Sequence, residues 1–182
     1  MNQTNNKILT VIVALHCAFI LGASLVYENR RESGRTVLLE TVPVDPRDLL
    51  RGDYVILGYK MSRIEPWQFE RMPENGFQGG ETVYVLLEER GKYFELVRAF
   101  TSKPELQGAG QVILKGRATS GARGTISVAY GLERYYVKEG TGNPRGKVTV
   151  LASISPSGDA LIKEVFVDDV PYREAAQADI AR

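Results

Sequence analysis

The chain has almost none of the side chains on which most enzyme active sites depend. It contains one histidine and one cysteine, and both, His16 and Cys17, lie inside an apolar stretch near the N-terminus. The rest of the chain therefore lacks the residues for a Ser-His-Asp triad, a Cys-His pair or a Cys/His zinc site. We assign no catalytic residue, no metal site and no cofactor.

An excess of charge of either sign is also missing. Lys plus Arg number 23 and Asp plus Glu number 22, so the chain gives no reason to expect nucleic-acid binding. The glycine-rich stretch GTGNPRGKV has the wrong spacing for a phosphate-binding loop, and Val148 stands where such a loop needs a hydroxyl for Mg²⁺. Nucleotide chemistry is therefore disfavoured.

What the chain does contain is one long uncharged stretch, ILTVIVALHCAFILGASLVY, from Ile8 to Tyr27. A helix of about 20 apolar residues spans the hydrocarbon core of a bilayer. The alternative is a cleaved signal peptide, for which Gly22-Ala23-Ser24 offers small residues near a cleavage point. We prefer an uncleaved anchor because the stretch is longer than the usual signal core of about 7–15 residues.

Small residues recur along one face of this predicted helix. Ala14, Ala18 and Gly22 are four residues apart, a spacing that lets a neighbouring transmembrane helix approach closely. His16 lies nearly opposite, and a polar ring at membrane depth usually needs a partner. These four are the candidate helix-packing residues; an isolated helix that tolerates a neutral histidine is the alternative.

The orientation of the anchor is ambiguous from charge alone. Lys7 and the α-amine precede it, whereas Arg30, Arg31 and Arg35 follow it. The positive-inside rule would then place the C-terminal domain in the cytoplasm. A long domain after one short anchor is, however, often exported, so the charge count leaves the question open.

After residue 30 the chain is predicted to be β-structure, because turn residues recur regularly and no segment has a 3.6-residue apolar period. The predicted fold is an all-β barrel or sandwich of about eight antiparallel strands, preceded by one N-terminal transmembrane helix. The strands are predicted at 36–44, 54–64, 82–89, 92–100, 111–119, 125–131, 147–155 and 160–168. Short helices are expected at 66–72 and 173–181.

These patterns divide the chain into five parts. An N-terminal tail (1–7) and the anchor (8–27) come first, followed by a polar linker (28–35). The β-domain follows at 36–170, and a C-terminal tail at 171–182 can form a short helix.

The most unusual stretch is PVDPRDLLRGDYVILGY, residues 43–59. Its prolines restrict the backbone and Gly52 supplies the freedom to turn into a strand. Side chains alternate from Asp53, so Val55, Leu57 and Tyr59 share one face and are core candidates. The integrin-type tripeptide Arg-Gly-Asp at 51–53 is disfavoured as an adhesion signal, because its aspartate begins a strand.

GDYVILGY, Gly52 to Tyr59, matches G-D-Y-x-x-L-x-Y at every specified position and resembles the GDYXXLXY family of small bacterial membrane-anchored proteins. The segments YGLERYYVKEG, from Tyr130 to Gly140, and ALIKEVFVDDVPY are similar to that family too. The family has no established activity. The resemblance implies a single-pass anchor in the bacterial inner membrane, a periplasmic domain and multi-pass membrane proteins as partners, against the arginine count.

Two readings of this motif stay open. One is a rigid structural corner, in which Arg47 pairs with Asp53 across the turn. The other is a polar-aromatic groove that binds a ligand, since tyrosines offer an apolar face and a hydroxyl. The candidate binding residues are Arg47, Asp53, Tyr54, Tyr59, Tyr130, Glu133, Tyr135, Tyr136 and Glu139.

The function predicted from the sequence is a binding or accessory module for a multi-pass membrane protein. The alternative is an envelope hydrolase that uses carboxylates or a Ser-Lys pair, for which Lys115 and Lys138 are available without a spacing signature. In the signal-peptidase-like fold a serine lies eight residues before the glycine of the Gly-Asp turn; here that position is Val44. The ligand and the oligomeric state are left open.

Overall fold

The computed structural model describes residues 3–42, 54–106, 108–120, 124–137 and 146–173. One long helix, α1 (Gln3–Ser33), is followed by twelve antiparallel strands among these residues. The predicted class, an all-β domain after one apolar N-terminal helix, is confirmed.

The helix covers the predicted anchor and continues beyond it. Within it, Lys7–Glu28 is long and apolar enough to cross a membrane, and its side chains are exposed. The helix also includes most of the predicted linker at 28–35, because it ends only at Ser33. Gly34 alone separates the helix from the first strand, so the helix and the β-structure are almost continuous.

The strands form two five-stranded sheets and one two-stranded ribbon. In the first sheet the order is β12-β11-β10-β1-β3, in the second it is β4-β8-β7-β5-β6, and β2 pairs with β9. The bounds are β1 (Arg35–Val42), β2 (Tyr54–Ile56), β3 (Gly58–Tyr59), β4 (Arg63–Ile64), β5 (Thr82–Arg90), β6 (Tyr93–Phe100), β7 (Gln111–Ser120), β8 (Ile126–Ala129), β9 (Arg134–Tyr136), β10 (Val148–Ile154), β11 (Ala160–Val167) and β12 (Val170–Pro171).

Both large sheets bury their inward faces in one hydrophobic core, the arrangement of a sandwich. Val37 and Leu39 of β1 belong to the same buried cluster as Val85 and Leu87 of β5 and Leu114 of β7. Inward and outward side chains alternate along β5, as the period of two in its sequence predicts.

Both hairpins predicted from turn residues are present. β5 and β6 pair across the turn that contains Gly91, whose φ of 65° is the left-handed conformation that glycine adopts readily. β10 and β11 pair across Ser155–Asp159, and Gly158 has a φ of 92° in that turn. These turns hold the longest strand pairs in register.

The predicted strand at 54–64 is divided in the structure into three short strands and a 3-10 turn (Lys60–Ser62). β2 pairs with β9, β3 with β1 and β4 with β8, so this one segment contacts all three sheets. Its buried residues still alternate, from Val55 through Leu57 and Tyr59 to Met61. The core residues predicted at 55, 57 and 59 are confirmed.

The two short helices have different outcomes. The segment predicted as a helix at 66–72 is helical only over the 3-10 turn Pro66–Gln68, which has a capping box at Glu65 and Gln68. The prediction is wrong for 69–72, because Phe69 forms a β-bridge with Ala99 instead. Most of the segment predicted at 173–181 lies outside the described residues.

Candidate functional site

The two sequence segments of the binding hypothesis are neighbours in space. Tyr54 of β2 lies opposite Tyr136 of β9, and Ile56 lies opposite Arg134. We call this two-stranded unit the β2–β9 ribbon. Beyond it, the Leu57 amide donates to the Glu133 carbonyl at 2.8 Å, which continues the attachment along the chain.

Two of the predicted tyrosines are buried and connect the two segments by hydrogen bonds. Tyr59 is 2% exposed and its hydroxyl donates to the Leu132 carbonyl at 2.8 Å. Tyr130 is 6% exposed and its hydroxyl donates to the Met61 carbonyl at 2.6 Å. Burial raises the pKa of both phenols far above the ordinary range, and the Glu133 charge adds to the effect. They are neutral core residues that hold the two segments together.

Glu133 is bound into the turn between β8 and β9. Its carboxylate accepts from the Tyr130 amide at 2.6 Å and from the Gly131 amide at 2.9 Å. Gly131 has a φ of 80°, a conformation that glycine adopts without strain. The carboxylate therefore fixes the turn that leads into β9.

The outer face of the ribbon carries an aromatic and cationic patch, which we call the ribbon face: Tyr54, Arg134 and Tyr136. The rings of Tyr54 and Tyr136 meet edge to face with centroids 5.9 Å apart. The Arg134 guanidinium lies over the Tyr54 ring, 5.3 Å from its centroid. Tyr136 is 71% exposed, so this patch is open to a partner.

Arg134 is a residue that sequence reasoning missed. The signal was present, because Arg134 lies two residues before Tyr136 in a short strand and the two side chains share a face. What the sequence alone did not supply was the pairing with β2, which brings Tyr54 beneath the guanidinium.

Tyr135 points to the opposite side of the ribbon. Its ring meets Tyr172 edge to face at 6.1 Å, and its hydroxyl accepts from Arg173 Nε at 3.4 Å. The buried Tyr172 was not singled out, although it ends the third segment that resembles the family. The end of that segment therefore packs against the inner side of the ribbon through Tyr172.

Three of the predicted binding residues, Arg47, Asp53 and Glu139, lie outside the described residues, as does the predicted Arg47–Asp53 pair. The ligand-binding role of the whole set stays a prediction. The described members form a ribbon with one exposed face and three buried or turn-bound supports, Tyr59, Tyr130 and Glu133.

The groups considered for a hydrolase meet at the β10–β11 turn. Lys115 Nζ lies 3.2 Å from one oxygen of Asp159, and the Ser157 hydroxyl donates to the other at 2.7 Å. Ser155 Oγ lies 2.7 Å from Ser157 Oγ. The Lys115 amine is paired with the Asp159 carboxylate, and turn stabilisation explains this exposed network. Lys138 lies outside the described residues.

The predicted helix-packing residues are all exposed on α1. Within the described part of the chain no other element covers Ala14, Ala18 or Gly22, and a Cβ added to Gly22 would meet nothing within 4 Å. His16 Nδ1 lies 2.9 Å from the Ile12 carbonyl, so its polar ring has a partner in its own helix.

The family comparison covers most of the chain. The model of the family described as GDYXXLXY protein matches residues 16–165, a range that includes part of α1, the first two motif segments in full and the first six residues of the third. Searches among curated proteins and solved structures gave no significant match. The match to the family model, together with the ribbon that its motif builds, shows that this chain belongs to the GDYXXLXY family.

Proposed function

We propose that this protein is a single-pass protein of the bacterial inner membrane whose periplasmic β-domain binds a multi-pass membrane partner. The observation that carries the proposal is α1: its apolar span is exposed along its length and has an open face of small residues at 14, 18 and 22. Such a face suits close packing against another transmembrane helix.

The β-domain supports an accessory role in a second way. α1 runs almost directly into β1, which lies between β10 and β3 in the first sheet. A partner that holds the helix would therefore also fix the direction of the domain and of the ribbon face. The ribbon face, with Tyr136 exposed beside Arg134, supplies the polar-aromatic chemistry common at protein contacts.

Membrane crosslinking followed by affinity capture of the full chain tests the proposal. We expect a specific multi-pass protein to be recovered with the wild type and to be lost with Gly22→Leu, which fills the small-residue face. Ala23→Leu is the matched control, because it introduces the same side chain on a different side of α1 and should leave capture unchanged. Recovery of the chain alone, with both variants behaving identically, would contradict the proposal.

The ribbon face is tested separately in the same assay. We expect Tyr136→Ala to weaken capture of the partner, since it removes an exposed ring that packs against Tyr54. Tyr84→Ala is the control, because it removes a partly buried ring from a strand of the second sheet. Equal capture by both variants would remove the ribbon face from the proposed interface.

The proposed orientation has its own test. A C-terminal reporter that is active only in the periplasm should be active in the wild type, and one that is active only in the cytoplasm should be silent. The reverse pattern would agree with the arginines that follow the helix and would overturn the periplasmic assignment.

A further inference from the structure

A large open cleft lies where the helix joins the β-domain. It has a volume of about 780 Å³ and is lined on one side by Gly34 and Arg35, the first residues after α1. We call it the junction cleft. Its size falls in the range of about 300–1,000 Å³ that is typical of sites for small molecules.

The walls of the junction cleft are mainly apolar. Its apolar lining consists of Pro104 and Leu106 from the loop after β6, Val112 and Ile113 of β7, and Pro156 of the β10–β11 turn. Ile113 is 6% exposed yet lies outside the main hydrophobic core, and Leu106 is 52% exposed. The exposed Leu106 side chain leaves part of this apolar lining open to solvent, which favours an apolar occupant.

The rim of the cleft carries two cations whose positions are fixed. The Arg35 guanidinium donates to the carbonyls of Ala109 and Gln111. Lys103 Nζ donates to the Pro156 carbonyl at 2.7 Å. Each retains further N–H donors, which suit a phosphate. Glu105 also lines the cleft, so the net charge of the rim residues is one positive unit.

The position of the cleft relative to a bilayer follows from the helix. Gly34 comes seven residues after Tyr27, the end of the uncharged stretch. At a rise of about 1.5 Å per residue this is about 10 Å of helix. The headgroup layer on one side of a bilayer is roughly 5–8 Å thick. Once the helix is inserted, the cleft therefore begins a few ångströms outside the headgroups.

We propose that the junction cleft binds a phospholipid of the bilayer that holds the helix, with one acyl chain against Leu106 and Ile113 and its phosphate at Arg35 and Lys103. This inference rests on the proposed membrane anchoring and adds a ligand to it. The chemistry of the cleft matches an amphiphile, because the cleft has both an apolar wall and a cationic rim and begins only a few ångströms from the headgroup layer.

Photolabelling with a lipid probe tests the proposal. The full chain is reconstituted in phosphatidylcholine vesicles that contain phosphatidylglycerol with a diazirine at the end of one acyl chain. In the bilayer this group lies near the midplane, so it can label residues 103–113 only if the chain has entered the cleft. Labelling near the middle of α1 serves as the internal measure of insertion.

We expect label on both the helix and the peptides that line the cleft. Leu106→Glu should reduce cleft labelling by about tenfold, since it places a charge against the acyl chain. Lys103→Glu should also reduce it by removing a phosphate contact. Val170→Glu is the matched control: it adds the same charge at an exposed apolar residue at the opposite end of the first sheet.

The outcomes separate the two proposals. Label on the helix without label in the cleft would overturn the lipid site and leave the anchor intact, whereas no label on either would overturn both. In native membranes, a photoreactive amino acid at position 106 should capture phospholipid. Capture of a second copy of the chain or of another protein at that position would overturn the lipid site.

Discussion

At the scale of single residues, the two buried tyrosines bind the motif to the rest of the domain. Tyr59 belongs to the motif and reaches the carbonyl of Leu132, while Tyr130 reaches back to the carbonyl of Met61. The pair forms reciprocal cross-links between the same two segments. Because both carbonyls are approached by buried hydroxyls, losing a hydroxyl leaves an acceptor without its partner inside the protein.

We therefore predict that Tyr59→Phe and Tyr130→Phe each lower the free energy of unfolding by about 1–3 kcal/mol. Tyr136→Phe is the matched control, because the same atom is removed from a residue that is 71% exposed, and it should change stability by less than about 0.5 kcal/mol. Urea unfolding of the full chain in detergent measures all three. Equal effects at the three positions would contradict the role assigned to the buried hydroxyls.

A charged residue on β1 makes the stability depend on pH. Glu40 pairs with Lys60 and with Lys147, whose Nζ lies 3.0 Å from the carboxylate. The hydrogen bond to Lys60, followed by that to Lys147, lowers the pKa of Glu40 below its ordinary value of 4.5. A lowered pKa in the folded state means that the contribution is present above pH 4.5 and is lost as the pH falls through the folded value.

Glu40→Gln should accordingly lower the free energy of unfolding by roughly 0.5–1 kcal/mol at neutral pH, the scale of exposed ion pairs. The difference from the wild type should shrink as the pH falls below 4.5. Glu95→Gln, a change at an exposed glutamate on β6, serves as the control. A difference between Glu40→Gln and the wild type that stays constant across the acid range would show that charge is not its cause.

At the scale of elements, the joint between α1 and β1 depends on a residue without a side chain. A Cβ added at Gly34 would overlap Ser153 Oγ and would lie 2.9 Å from the Ile154 carbonyl oxygen. The backbone of β10 therefore passes so close to the end of the helix that only glycine fits there without displacement.

We predict that Gly34→Ala destabilises the β-domain by about 1–3 kcal/mol, the usual cost of forcing atoms into a packed site. Ser153→Ala should restore part of the loss, because it removes one of the two clashing groups. Gly110→Ala is the control, since its added Cβ would meet nothing within 4 Å. Thermal unfolding followed by circular dichroism compares the variants, and an unchanged midpoint for Gly34→Ala would refute the close approach.

The elements also show where sequence reasoning succeeds. Long strands such as β5 were predictable because apolar and polar side chains alternate along them and glycine turns bound them. The segment at 54–64 alternates equally well, yet it changes partner twice, from β9 to β1 to β8. Alternation reports which side chains face inward but not which strand is the neighbour. β9 was missed because three residues with exposed ends leave no apolar pattern.

At the scale of the whole molecule, both sheets share one core. Leu39 lies on β1 of the first sheet and Leu87 on β5 of the second, and both are members of the same buried cluster. A domain built around one core unfolds as a unit when its parts are not stable alone.

Leu39→Ala and Leu87→Ala should each lower the free energy of unfolding by about 2–5 kcal/mol. Both should shift the midpoint of one common transition. The measurement is urea unfolding of the full chain in detergent, followed by Trp67 fluorescence and by circular dichroism. Two separate transitions, each sensitive to one variant only, would contradict a single cooperative domain.

The candidate site was predictable in part at this scale. The family motif and the segment from Tyr130 to Gly140 were linked from their sequences, and the structure brings them together through the β2–β9 ribbon. The sequence did not predict which tyrosines are buried and which lie on the ribbon face, because this depends on how the strands pack. Tyr59 and Tyr54 are five residues apart in one motif, but one is buried in the core and the other lies on the ribbon face.

The direct passage from α1 into β1 has a mechanical consequence. β1 is paired with β10 along six residues, from Arg35 opposite Ile154 to Glu40 opposite Thr149, and with β3 at its far end. Force applied to the helix is therefore carried first by β1 and by its hydrogen bonds to β10 and β3. A tilt or rotation of the helix within the membrane would, for the same reason, be passed directly to the first sheet.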